Sequence, residues 1–260
     1  MAHTAETIRR VVRYLSVIIE VVDARAPLLT RYERMRTWMG TCPVVLVLNK
    51  ADLADPAATH AWTRYFDARG EVAVPLTATR PEEAARLLRR LETAARPTTV
   101  RRAAVVGLPN LGKSTLLNHL LGRAHLRTAN RPGVTRGPQW VRRGRWEWLD
   151  LPGVLARAQE RDWRLKVLGA VGFDPSEAED LALRLLQALG GTPPDPTQSS
   201  PVTGGEAASG GDDPLDRFGH MRGIIGRGGG VDRQRAAEAV IAAFQQGRLG
   251  RLTLEWPPGE

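Results

Sequence analysis

The sequence predicts an α/β fold, a mostly parallel sheet with helices on both faces, followed by a small all-α C-terminal domain. Through the first 158 residues, short apolar runs typical of strands alternate with stretches of helical apolar spacing. After that point strand alternation stops and the apolar spacing is that of amphipathic helices. We therefore predict one domain over residues 1–158 and a second over 159–260.

The elements of the first domain follow from this alternation. In chain order, the sequence predicts a helix over 1–14, strand 16–24, helix 30–40, strand 43–53 with its loop, helix 57–69, strand 72–78, helix 81–95, strand 101–106, a helix over 114–122 and two strands within 138–153. The last two strands are predicted to turn at Arg143-Gly144. In such sheets the ligand-binding loops lie at the carboxyl ends of strands.

The C-terminal third has a different composition. An amphipathic helix is predicted over 177–191, and a second helix with a glycine stop over 232–250. Between them, residues 192–214 are rich in proline, glycine and serine, which predicts a disordered insertion.

Composition favours a cytoplasmic protein with a polyanionic partner. The net charge is +9, contributed almost entirely by arginine, and nucleic acid is the commonest cytoplasmic polyanion. The single cysteine excludes an internal disulfide, and no secretory signal pattern is seen. The longest apolar runs are too short to span a bilayer.

The clearest motif is GLPNLGKST, which begins at Gly107 and fits the phosphate-binding pattern G-x-x-x-x-G-K-[ST]. A buried strand precedes it and a helix follows, so backbone N–H groups and the positive end of the helix converge on a polyphosphate. Lys113 is predicted to reach the outer phosphates, and Ser114 to ligate Mg²⁺. The predicted phosphate-binding residues here are Asn110, Leu111, Gly112, Lys113, Ser114 and Thr115.

A second motif, N-K-A-D, follows an earlier apolar strand and predicts guanine as the base. Its members are Asn49, Lys50, Ala51 and Asp52. The Asp52 carboxylate can accept hydrogen bonds from the ring N–H and the exocyclic amine of guanine, a donor pair that adenine lacks. Thr77 and Ala78, at the end of the next strand, suit a backbone contact to the base.

Two further elements complete the set. Asp150 begins the sequence D-L-P-G at a strand end, and we predict that it holds Mg²⁺ through water while the Gly153 N–H meets the γ-phosphate. Thr135, on a glycine-containing loop, is a predicted Mg²⁺ ligand when the triphosphate is bound.

The order of these motifs narrows the family. The N-K-A-D motif precedes the phosphate loop, whereas in ordinary GTPases it follows, so the order is that of circularly permuted P-loop GTPases. The chain resembles the YlqF/RbgA family of ribosome-biogenesis GTPases. The stretches that carry the resemblance are VVDARAPL, VLNKADL, VVGLPNLGKSTLLN, RPGVTRGPQWV, LDLPGVL, RGIIGRGGGVDRQRAAEAVI and GRLGRLTLE.

The resemblance implies a GTP-hydrolysing factor in late maturation of the large (50S) ribosomal subunit, acting on its precursor as a monomer. It also implies that a hydrophobic residue, here Val154, occupies the place where many small GTPases carry a water-orienting glutamine. The catalytic group is therefore unassigned, and slow intrinsic hydrolysis stimulated by the subunit is expected. Asn110 resembles the asparagine that binds K⁺ in potassium-activated GTPases, which suggests K⁺ stimulation.

The sequence departs from the family pattern in two places. The usual opening segment P-G-H-M-A-K-A would align so that Met1 follows its histidine, and His3 is offset from that position. The usual D-T-P-G is also D-L-P-G here, although Leu151 is not a ligand position.

Arginines near aromatic residues are the predicted RNA contacts, since they suit phosphate binding and base stacking. They are Arg9, Arg10, Arg13, Arg142, Arg143 and Arg145, together with the segment MRGIIGRGGG. The neighbouring tryptophans are expected to be mainly core residues.

Two alternative functions share some of these features. A GTP-gated RNA-binding scaffold with negligible hydrolysis is favoured by Val154 and by the absent histidine segment. A tRNA-modifying GTPase is disfavoured, because the motif order differs and no modification domain is recognised.

Overall fold

A computed structural model describes residues 9–31, 37–122, 140–151, 159–190 and 213–259, with Asp150 and Gln159 described by their backbone alone. The strands are β1 (Val17–Asp23), β2 (Val44–Asn49), β3 (Val72–Pro75), β4 (Arg101–Val106), β5 (Trp140–Arg143) and β6 (Trp146–Asp150). The helices are α1 (Pro56–Asp67), α2 (Pro81–Ala94), α3 (Lys113–Leu121), α4 (Trp163–Val167), α5 (Ala178–Ala188), α6 (Pro214–Met221) and α7 (Arg233–Gln245), with 3₁₀ turns at Val12–Tyr14, Gln159–Arg161 and Pro175–Glu177.

The six strands form one sheet in the order β3-β2-β1-β4-β6-β5. Every neighbouring pair is parallel except β5 and β6. All seven residues of β1 are buried, as expected of a central strand covered on both faces. The predicted α/β class and mostly parallel sheet are confirmed.

The strand order places a crevice beside the phosphate loop. The chain moves outward from β1 through β2 to β3 and then returns to form β4 on the other side of β1. Loops that leave β1 and β4 therefore run in opposite directions, and ligands bind at such a switch point in open parallel sheets. The phosphate loop follows β4, and the N-K-A-D motif follows β2, next to β1.

The described parts of the C-terminal region contain the helices α4 to α7, and Arg233 at the start of α7 ties three of them together. Its guanidinium contacts Glu179 of α5 at 2.7 Å, the N-cap Asp213 of α6 at 2.9 Å and Asp216 at 2.9 Å. The hydrogen bonds to Glu179 and Asp213 raise the pKa of Arg233 above its ordinary value.

Local differences from the predicted elements have simple causes. Arg143 pairs with Trp146, so the two-residue turn is Gly144-Arg145, one position later than predicted. Asp213 caps α6 by accepting from the Leu215 N–H, so the predicted insertion over 192–214 cannot include its last two residues. Its residues up to 212 lie outside the described structure, as do 1–8 and 32–36 of two predicted helices.

Trp146 and Trp148 are buried and stacked at 5.3 Å between ring centroids, as expected of core tryptophans. Within the described residues, no helix is long and apolar enough to cross a lipid bilayer.

Candidate nucleotide-binding site

The phosphate loop is shaped by two glycines that no other residue can replace without strain. Gly107 has φ +144°, and a Cβ there would lie 2.3 Å from the Val21 carbonyl oxygen of β1. Gly112 has φ +88° at the N-cap of α3, and a Cβ there would lie 2.3 Å from Asn49 Nδ2. The loop therefore passes against β1 and against the N-K-A-D motif before α3 begins.

Lys113, the first residue of α3, is buried, and its Nζ donates to the Leu108 carbonyl oxygen at 2.7 Å. This bond holds the ammonium group over the loop that precedes it. Ser114, in the same turn, is exposed. Both positions match their predicted placement at the helix N-terminus.

Asn110 is exposed and left-handed, with φ 57°. Asparagine tolerates this conformation better than most residues. The backbone thus gives a reason for asparagine at position 110 that does not involve an ion.

Asn49 joins the guanine motif to the phosphate loop. Its buried side chain donates from Nδ2 to the Leu111 carbonyl oxygen at 2.6 Å. Its Oδ1 accepts from the Ala78 N–H at 2.8 Å. Three segments that are far apart in sequence are therefore fixed together by one amide group.

The Asp52 carboxylate is oriented by a neighbouring strand end. The Thr77 hydroxyl donates to Asp52 Oδ1 at 3.1 Å, and the Ala51 N–H donates to the Leu76 carbonyl oxygen at 3.1 Å. Thr77 thus contacts Asp52 through its side chain, in addition to the backbone contact to the base that its position suggests. His119 of α3 also lies 2.7 Å from the Ala78 carbonyl oxygen through Nδ1, joining α3 to the same loop.

A buried ion pair lies beneath Lys50. Arg25 donates from Nε and Nη2 to the two oxygens of Asp23, both at 2.9 Å, and Lys50 Nζ lies 3.1 Å from Asp23 Oδ2. Burial alone would raise the pKa of Asp23. The charges of Arg25 and Lys50, with the Arg25 hydrogen bonds, outweigh burial and lower that pKa to about 2.

Asp23 and Arg25 were not among the predicted site residues. Both are fully buried at the carboxyl end of β1, and Arg25 Nη1 also donates to the Phe244 carbonyl oxygen of α7 at 3.2 Å. The signal in the sequence was an acid and an arginine two residues apart directly after an apolar strand.

The predicted metal ligands are only partly visible. Asp150 pairs with Val105 at the end of β6, so its backbone lies beside the start of the phosphate loop. An acidic residue there and the Ser114 hydroxyl form a donor set that fits Mg²⁺, which prefers oxygen ligands and keeps phosphate oxygens among them. Thr135, Gly153 and Val154 lie outside the described residues, as does the Asp150 side chain.

Two of the separately predicted RNA-contact regions lie together. Arg10, Arg13, Tyr14, Arg102 and Trp140 line, with Val11, an open pocket of about 340 Å³. The Arg13 guanidinium lies 4.7 Å from the Tyr14 ring centroid, and that of Arg102 lies 5.8 Å from the Trp140 centroid.

The other predicted RNA-contact arginines make protein contacts of their own. Arg9 lies over the Trp38 ring at 5.8 Å, and Arg143 donates to the Leu120 carbonyl oxygen at the end of α3 at 2.6 Å. Arg145 pairs with Glu92 at 3.1 Å, and the exposed Arg142 donates from Nε to the Gly144 carbonyl oxygen at 3.3 Å.

Comparison with known proteins shows which family the chain is similar to. A family model described as "50S ribosome-binding GTPase" matches residues 102–189, from β4 through α5. Ribosome biogenesis GTPase A of Bacillus cereus is 31% identical, over 99% of this chain and 92% of the relative. The protein of the same name from Thermotoga maritima is 27% identical, over 96% of this chain and 89% of the relative.

The fold is also similar to a solved structure. The crystal structure of GNP-bound YlqF from T. maritima superposes with a TM-score of 0.66 at 25% identity and covers 97% of each chain. The family-model match begins within β4, so residues 49–52 precede it, as the permuted motif order requires.

Proposed function

This chain belongs to the ribosome biogenesis GTPase A family, and we propose that its GTP cycle times a late step in maturation of the large (50S) ribosomal subunit. It is a GTPase of ribosome assembly. We propose in addition that the protein acts specifically on the large subunit and that it binds rRNA in a nucleotide-dependent way. The division into domains at residue 158 also stays a proposal, since residues 152–158 lie outside the described structure.

The observation that carries the nucleotide assignment is the Asn49 bridge between the two loops. Asp52 would accept from guanine N–H groups, with Thr77 orienting its carboxylate. The backbone of the phosphate loop and Lys113 would hold the phosphates. The proposed guanine-binding residues are Asn49, Lys50, Ala51, Asp52, Thr77 and Ala78, and the phosphate-binding residues are Asn110, Leu111, Gly112, Lys113, Ser114, Thr115 and Gly153.

Ser114, Thr135 and Asp150 would hold Mg²⁺. When bound, the ion neutralises charge on the phosphate oxygens. Lys113 would add further positive charge, because its ammonium is anchored over the loop by the Leu108 carbonyl oxygen. The Gly153 N–H is proposed to meet the γ-phosphate, so that the D-L-P-G segment would respond to nucleotide state.

We also retain the K⁺ hypothesis for Asn110. An ion held at this exposed loop position would add positive charge near the phosphates. GTP turnover should be faster in KCl than in NaCl at equal ionic strength with large subunits present. Equal rates in the two salts would show that K⁺ does not stimulate hydrolysis.

Slow intrinsic hydrolysis follows from Val154, which can neither orient nor deprotonate water. The group that positions water is unassigned, and the subunit would complete or order it. If hydrolysis stayed negligible with the subunit present, the alternative of a GTP-gated scaffold would stand.

The pocket lined by Arg10, Arg13 and Trp140 supports an RNA-contact surface. Arginines beside aromatic faces suit phosphate contact and base stacking at once. A monomer in the cytoplasm, bound to the ribosomal precursor, completes the proposal.

The test is GTP turnover by the full chain alone, with isolated large subunits, and with small subunits as the control. Each sample is also sedimented with GDP or a non-hydrolysable GTP analogue. Large subunits, but not small subunits, should raise GTP turnover. The chain should co-sediment with large subunits more strongly in the presence of the analogue than with GDP. Neither stimulation nor co-sedimentation would overturn the proposed role.

A further inference from the structure

The chain after α7 returns to the guanine motif. We call residues 247–256 the C-terminal strap. The Leu252 N–H donates to the Leu53 carbonyl oxygen at 3.0 Å, and the Asp55 N–H donates to Thr253 Oγ1 at 3.0 Å. The strap therefore pairs with the residues that directly follow N-K-A-D.

The backbone conformation at the beginning of the strap favours glycine, and the strap lies close to the Leu53 side chain there. Gly247 has φ +71°, and a Cβ there would lie 2.6 Å from Leu53 Cδ2. A residue with a Cβ would be strained at this positive φ and would displace the end of the Leu53 side chain.

Arg251 contacts both sides of Asp52. Its Nη2 donates to the Ala51 carbonyl oxygen and its Nε to the Ala54 carbonyl oxygen, each at 2.9 Å. The Ala51 carbonyl belongs to the peptide bond that leads into Asp52. A planar guanidinium fixes two acceptors in one geometry, which a lysine ammonium does not.

The far end of the strap is anchored independently. Glu255 Oε2 accepts from the N–H groups of Leu28 and Leu29 at 2.8 and 3.1 Å. The Glu255 carbonyl oxygen accepts from Trp62 Nε1 of α1 at 2.8 Å, and the Leu254 N–H donates to the Arg25 carbonyl oxygen at 2.8 Å. The strap is thus held at both ends, and Arg251 is presented to the motif from a fixed backbone.

We propose that Arg251 is a positioning residue for guanine recognition, fixing the backbone on both sides of Asp52 so that its carboxylate meets both N–H groups of the base. The inference rests on the proposed role of Asp52. It places a determinant of base specificity in the C-terminal region, about 200 residues away from the motif that it serves.

A purely structural role for Arg251 predicts a different result. If Arg251 only packed the strap against the core, its replacement would lower the affinity for every nucleotide equally. If Arg251 positions Asp52, its replacement lowers the affinity mainly for nucleotides that contact both oxygens of the carboxylate. Inosine nucleotides lack the exocyclic amine of guanine and use only the ring N–H, so the preference for GDP over IDP reports the carboxylate geometry.

The experiment measures the Kd of GDP and of IDP by calorimetry for the full chain. The variants are Arg251→Ala, Arg251→Lys and the control Arg248→Ala, which removes an exposed arginine from the same strap. Loss of two hydrogen bonds from a charged but exposed donor should weaken GDP about fivefold in Arg251→Ala. The affinity for IDP should fall less, so that the preference for GDP over IDP falls about threefold. Arg251→Lys should give an intermediate preference, and Arg248→Ala should bind both nucleotides like the wild type.

Equal weakening of GDP and IDP, or no weakening, would overturn the inference. Asp52→Ala separates this failure from failure of the site itself. If Asp52→Ala abolishes the GDP preference and Arg251→Ala leaves it intact, only the role of Arg251 is wrong. If Asp52→Ala leaves the preference intact, the base site is wrong. Should Arg251→Ala not fold, Arg251→Lys and Arg251→Gln carry the same comparison.

Discussion

The side-chain amide of Asn49 donates a hydrogen bond of 2.6 Å to the Leu111 carbonyl oxygen, 62 positions further along the chain. The same amide accepts from the Ala78 N–H. One buried group therefore joins the loops after β2, β3 and β4. Its contacts do not depend on which loop comes first in the sequence, which is why a permuted motif order can still build one site.

Replacing Asn49 by alanine should uncouple the two loops. The Ala78 N–H and the Leu111 carbonyl would lose their partner in a buried place, so GTP affinity should fall about tenfold or more. Titration with a fluorescent GTP analogue measures this. The control is Asn118→Ala, which removes an exposed amide from α3. An Asn49→Ala variant with wild-type affinity would show that the bridge does not organise the site.

Gly112→Ala should disrupt the same junction from the other side. A methyl group would meet Asn49 Nδ2 at 2.3 Å in a left-handed conformation, so Asn49 or the phosphate loop must move. Nucleotide binding should be lost in calorimetry, while the circular dichroism spectrum stays that of a folded protein. Gly172→Ala is the matched control, because Gly172 has open space around its Cβ position and no positive φ. Full GTP affinity in Gly112→Ala would contradict this geometry.

Asp23→Asn should lower the free energy of unfolding by about 3 kcal/mol, because it leaves the buried Arg25 without its counter-charge. Urea unfolding at pH 7 measures this. Asp180→Asn is the control, since Asp180 and Arg184 form an exposed pair on α5 that should contribute little.

The buried pair of Asp23 and Arg25 also predicts that the stability of the protein depends on pH. The folded pKa of Asp23 is about 2, below its ordinary value of 3.8, so the folded state binds this proton less readily than the unfolded state. Ionised Asp23 therefore stabilises the folded state above about pH 4, and this stabilisation is lost as the pH falls toward 2. Between these values, stability should fall less steeply in Asp23→Asn than in the wild type. An identical pH profile in both proteins would exclude Asp23 as a contributor.

The fold could be predicted from the sequence because its signals are local. The strand predicted over 101–106 is observed as β4 (Arg101–Val106), because its buried residues 103–106 form an apolar run that ends at a glycine loop. The phosphate loop and the N-K-A-D motif were found because their chemistry needs particular residues at fixed spacing.

The missed contacts depend on tertiary topology. Arg25 meets Phe244 and Arg251 meets Ala51 only because the helical region folds back onto the sheet. The sequence places Arg25 two residues after an acid at the end of an apolar strand, but no spacing rule pairs Arg25 or Arg251 with a partner in a distant part of the chain. Arg143 has a contact within the protein that its sequence pattern does not indicate. Its guanidinium donates to carbonyl oxygens at the end of α3, where the helix favours a cation, and its RNA contact stays a prediction.

The base preference of Asp52→Asn tests directly whether N-K-A-D and the downstream phosphate loop form one GTP site. Xanthine carries a carbonyl where guanine carries the exocyclic amine, and an asparagine amide can accept from the ring N–H and donate to that carbonyl. Competition binding of GTP and XTP to the full chain should show at least about a 100-fold loss of GTP affinity together with a gain of XTP binding. An Asp52→Asn protein that still prefers GTP over XTP would contradict the account.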